Sequence, residues 1–234
     1  MTHTTLTIPA GKHPVRDPGT AAVVVASPVW RGRLHQGAFL VALPLGMMLV
    51  GFAQSPAARL GALVYALGSL ALYGVSAAYH LGRWSPRSQV WMRRLDHAMI
   101  FVLIAATYTP FCLLAAAPGH GVPTLLGVWM AAGVGVGLSL AGLAERRGLG
   151  LALYLAIGWL GALSLPSLLS GLPPMALALI IAGGMTYTLG AIGLVRRWPD
   201  PLPAFFGYHE VWHAMTLIAG ACFAVVVWAL VTGA

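Results

Sequence analysis

The chain is 234 residues long, 59% hydrophobic and only 8% charged, with a mean hydropathy of +0.84. A soluble domain carries roughly 25% charged residues, so this composition excludes a water-facing globule and requires most of the outer surface to face lipid. The formal charge is +8, from 13 Lys+Arg against 5 Asp+Glu. No basic stripe with interleaved aromatics accompanies it, so no nucleic-acid partner is expected, and the excess reads as basic loops held on the cytoplasmic side of a membrane.

Residues 1–33 are polar and carry Pro9, Pro14, Pro18 and Pro28. The short apolar patch at residues 21–26 is too brief for a signal-peptide core, so the segment is expected to be a flexible cytoplasmic tail. Residues 34–234 are expected to form one transmembrane domain. Seven apolar runs lie near 34–53, 58–80, 95–116, 122–143, 149–170, 173–195 and 206–231, each about as long as a helical span requires. None alternates with a period of two, which excludes a membrane β-barrel. The 29 glycines imply close helix contacts, with a GxxxG at Gly133 and Gly137, and Pro44, Pro110 and Pro166 mark expected kinks. Cys112 and Cys222 both lie inside apolar runs and read as packing residues. With the N-terminus inside, twelve of the thirteen Lys and Arg residues fall on the cytoplasmic side and only Arg59 outside. The expected fold is therefore all-α and polytopic, with seven transmembrane helices, a cytoplasmic N-terminus and an external C-terminus. A multi-pass protein of a bacterial inner membrane is the matching location.

Ionisable residues at membrane depth are costly and tend to be functional. His80 ends the second run, Asp96 and His97 begin the third, and His209, Glu210 and His213 begin the seventh. Uninterrupted apolar stretches at 60–79, 98–117 and 214–231 adjoin them, so three helices present ligand-type groups at one depth, the cytoplasmic edge. His209 and His213 stand i, i+4, on one helix face and about 6 Å apart along the axis. With His80 they offer three imidazoles and an open fourth position, which suits zinc carrying a water. Asp96 is placed to orient that water or take its proton, and Ser76, one turn before His80, to hydrogen-bond either. His35 and His97 read as interfacial histidines. The same residues also fit H-E-x-x-H (His209, Glu210, His213), in which Glu210 would be the base of a metalloprotease; otherwise Glu210 anchors a loop or faces headgroups.

Ser76 to His80 (SAAYH), Arg94 to His97 (RLDH), Ile104 to Phe111 (IAATYTPF) and Tyr208 to His213 (YHEVWH) together resemble the hemolysin III family, which belongs with the progestin and adipoQ receptors, including the adiponectin receptors. The resemblance covers roughly residues 30–231. It implies seven helices around a cavity, zinc held by His80, His209 and His213, and Asp96 and Ser76 beside the zinc-bound water. Three functions follow as expectations. The first is a zinc-dependent hydrolase of lipid amides, ceramide-like, with a lipid or fatty-acyl substrate. The second is a sensor or regulator of membrane state with structural zinc. The third is a pore-forming cytolysin, against which it counts that the middle and outer thirds of the spans offer only Ser, Thr and Tyr to line an ion path.

Overall fold

The structure, a computed structural model of the chain, describes residues 28–145, 148–163 and 172–233. Among the described residues the chain forms seven helices: α1 (Arg33–Gly51), α2 (Pro56–Leu81), α3 (Pro86–Leu114), α4 (Gly121–Leu140), α5 (Leu149–Leu163), α6 (Pro174–Arg196) and α7 (Tyr208–Thr232). Six of them are long and apolar enough to cross a membrane. The protein is thus an all-α, multi-pass membrane protein. The fifth is apolar over Leu149–Leu160 but shorter. The rest of its expected run, with Pro166, lies outside the described residues, as do Arg146 and Arg147. So does most of the expected N-terminal tail, but its last residues are seated: the Val29 and Trp30 amides donate to the Ala204 and Phe205 carbonyls, both at 3.1 Å.

One boundary differs clearly from its apolar run. α3 begins at Pro86 rather than at 95. The Ser85 hydroxyl accepts from the Ser88 amide at 3.2 Å and Pro86 occupies the first turn, a strong start signal independent of hydropathy. The helix is 29 residues long, about 43 Å, against a hydrocarbon core of about 30 Å. Its first turns, with Arg87, Arg93 and Arg94, therefore extend past the apolar layer. α2 starts in the same way, with the Ser55 hydroxyl accepting from Ala58 at 3.1 Å and Pro56 behind it.

Successive helices pack side by side, and α7 closes the bundle by lying against α1, α2 and α3 as well as α6. Polar contacts fix the ends. Arg94 donates to the Leu140 carbonyl at 3.0 Å, which joins the start of α3 to the end of α4, and Arg93 pairs with Glu145 at 2.6 Å. At the other end of the bundle the Gln54 amide donates to the Val231 carbonyl at 3.2 Å. Large side chains such as Leu40, Met47, Met130, Val134 and Val195 point outward, as expected for a surface solvated by lipid.

Between the helices, small residues set the spacing, the usual device where lipid removes the hydrophobic drive for association. A Cβ on Gly68 would stand 2.4 Å from Ala106, and one on Gly61 would stand 3.0 Å from Pro110. The expected GxxxG is not such a contact: Gly133 and Gly137 are exposed, with nothing near their missing Cβ atoms. The buried glycine of α4 is Gly135, where a Cβ would stand 2.4 Å from the Phe101 ring. Gly135→Ala is therefore expected to destabilise by about 1–3 kcal/mol through overpacking, read as a lowered thermal midpoint in detergent. Gly133→Ala should leave the midpoint unchanged.

Candidate metal centre

The polar residues singled out above come from different helices but share one end of the bundle. His80 lies in the last turn of α2, and His209 and His213 lie in the first two turns of α7. The Nε2 atoms of His80 and His209 are 3.2 Å apart. The ring centroids of the three histidines are separated by 4.9, 4.6 and 5.1 Å, and one ligand atom from each lies within 4.8 Å of the others. Two nitrogens bound to a tetrahedral zinc at 2.0–2.1 Å stand roughly 3.3 Å apart. The donor set and its spacing thus fit a metal ion of the kind that favours imidazole nitrogen.

Ser76, 1% exposed on α2, stands beside Asp96 of α3, and both line one cavity next to the histidines. Asp96 also occupies a neck between two spaces. On one side is a mainly apolar cavity of about 190 Å³ running into the bundle, lined by Ser76, Tyr154 and His213 together with aliphatic and aromatic groups. On the other is a polar vestibule of about 410 Å³, lined by Arg31, Arg93, His80, His97 and His209. Asp96 lines both.

Around this centre the structure adds contacts that the sequence did not disclose. His35, 3% exposed on α1, stacks on His213 with centroids 4.0 Å apart and planes within 3°. The Thr216 hydroxyl donates to the His213 carbonyl at 2.7 Å, so in the 3.1 Å contact between His35 Nε2 and the Thr216 hydroxyl oxygen the imidazole is the donor. His35 thereby fixes the ring plane of His213. His97 stays outside the trio: it lines the vestibule, and its carbonyl accepts from the Tyr154 hydroxyl at 3.1 Å.

Glu210 is 1% exposed and fully engaged at the start of α7. One oxygen accepts from Arg31 Nε at 2.5 Å, and the other accepts from the Gly207 amide at 2.9 Å. The Asp200 carboxylate accepts from the Tyr208 amide next to it at 2.9 Å. Of the two readings of Glu210, the loop anchor is the one that these contacts support: the residue holds the turn from which His209 and His213 project. Glu210→Gln should cost about 2 kcal/mol, less than a fully buried pair because Arg31 is 25% exposed. An unchanged thermal midpoint in that variant would contradict the anchoring role. Arg31 and Thr216 had no sequence signal, since one lies in the expected tail and the other inside an apolar run.

The sequence matches the family described as Haemolysin-III related over residues 24–224. It is 30% identical over 154 residues to Hemolysin-3 of Bacillus cereus, covering 66% of this chain and 67% of that protein. It is 27% identical over 186 residues to the Hemolysin-3 homolog of Bacillus subtilis (strain 168), covering 78% of this chain and 84% of that protein. Because the family match takes in six helices and most of the seventh, including every residue of the histidine cluster, the chain belongs to the Haemolysin-III related family.

Proposed function

We propose that the protein is a zinc-dependent hydrolase of lipid amides, with His80, His209 and His213 as the metal ligands and Asp96 as the general base. The observation that carries this reading is the position of Asp96, beside Ser76 at the neck between an apolar cavity and a polar opening, next to three converging imidazoles. An ion held there would supply Lewis-acid polarisation of a carbonyl and an acidified water at an open coordination position.

The chain's own residues have the remaining tasks. The apolar cavity holds the acyl chain and excludes bulk water. Asp96 takes the proton of the attacking water as its oxygen adds to the amide carbon, and returns a proton to the amine as the C–N bond breaks. The Ser76 hydroxyl keeps the carboxylate oriented between these two events. The products are a fatty acid, left in the cavity, and an amine, released through the vestibule. In this reading the centre faces the cytoplasm across a bacterial inner membrane, with residues 1–33 on that side. The basic loops and the resemblance to the progestin and adipoQ receptors support it.

The test is to reconstitute the purified chain with zinc and follow fatty-acid release from a panel of acyl amides, with and without chelator. Chelator-sensitive release is the expected result. A second reading, a membrane-state regulator with structural zinc, draws on the direct His80–His209 contact between α2 and α7. It predicts bound zinc and no release from any amide.

A further inference from the structure

The vestibule differs from the apolar cavity in kind, and its charges indicate what the second half of a substrate carries. Arg31 and Arg93 both line it. Their carboxylate partners do not: Glu210 is buried behind Arg31, and Glu145 is likewise absent from the lining. Each ion pair also uses only part of its guanidinium. Arg31 donates to Glu210 through Nε, and Arg93 donates to Glu145 through one terminal nitrogen. Among the described residues the other nitrogens of both groups have no partner. Two arginines that line a polar space thus keep donors that no described residue takes, the groups with which arginine binds carboxylate and phosphate. Among the described residues the only acidic group in the lining is Asp96, at the inner end, where the reaction is placed.

We infer that the substrate is an anionic amphiphile: an N-acyl amine whose acyl chain enters the apolar cavity and whose head carries a carboxylate or phosphate bound by Arg31 and Arg93 in the vestibule. This rests on the hydrolase reading for the fate of the amide, but not for the binding of the head. The amide lies at the neck, level with Asp96. An uncharged head would fill the same space but offer neither arginine a charged partner.

The experiment is equilibrium binding to the full chain in nonionic detergent after removal of metal by chelation, so that no turnover occurs. Three ligands share one acyl chain and one amide: N-palmitoylglycine, the phosphate ester of N-palmitoylethanolamine, and neutral N-palmitoylethanolamine. The anionic pair should bind at least about tenfold more tightly than the neutral ligand, with the advantage shrinking in high salt. The tighter of the two identifies carboxylate or phosphate as the natural charge. Arg93→Gln, and Arg31→Lys, which keeps a cation beside Glu210, should each weaken the anionic ligands and leave the neutral one unchanged. Equal affinity for all three ligands, or an equal loss for all three in the arginine variants, would overturn the inference. Zinc-loaded protein then separates the two readings. Selective binding without cleavage would remove the hydrolase and keep the headgroup site, whereas equal cleavage of neutral and anionic amides would do the reverse.

Discussion

In His213→Ala the purified chain is expected to lose its metal ion and, with it, the part of its thermal stability that chelator removes from the wild type. His213 is the most buried of the three histidines, at 3% exposure, and it is stacked on His35 and backed by Thr216. Disturbing only the outer partners of a metal-bound imidazole weakens metal binding by about 10–100-fold, so deleting an imidazole should exceed the upper end of that range. An ion present at 100 times its dissociation constant stabilises the folded state by about 2.7 kcal/mol. Chelator should therefore lower the wild-type midpoint clearly and leave that of His213→Ala where it is. This difference separates loss of the ion from the packing defect that any truncation at a buried site produces. A variant that kept its zinc, or a wild type indifferent to chelator, would contradict the assignment.

The second large effect falls on turnover. Asp96→Ala should retain zinc while acyl-amide hydrolysis drops by about 10²–10⁴-fold, the usual contribution of a positioned general base. The loss should appear in kcat, because the acyl chain and the head are bound by other residues. Ser76→Ala should act in the same direction but less strongly, since the role proposed for Ser76 is only to orient the carboxylate beside it. Zinc lost along with activity in Asp96→Ala would make the aspartate a ligand instead of a base. Undiminished hydrolysis would remove Asp96 from the reaction.

The histidine trio was legible in the sequence because two independent regularities meet there. The i, i+4 spacing puts His209 and His213 on one helix face, and the lengths of the apolar runs bring His80 to the same depth. Neither regularity requires knowledge of which helices touch. The stacking of His35 on His213 does require it, since it follows from α1 lying against α7, and so His35 read only as an interfacial histidine. Arg31 was hidden for a related reason: a residue in a polar, proline-bearing stretch gives no sign that its backbone neighbours will dock on the 204–205 loop. The early start of α3 was missed because hydropathy reports the lipid layer and not the helix, while Ser85 and Pro86 set the true start. In α4 the pattern chose Gly133 and Gly137, but packing uses Gly135. Spacing alone cannot say which face of a uniformly apolar helix meets a neighbour.

Whether the three histidines hold zinc is read directly by anomalous scattering from crystals of gently extracted protein, tuned across the zinc edge. A single peak bounded by the side chains of His80, His209 and His213 is expected. An ordered, intact histidine cluster with no peak, or a peak elsewhere in the bundle, would contradict the zinc assignment.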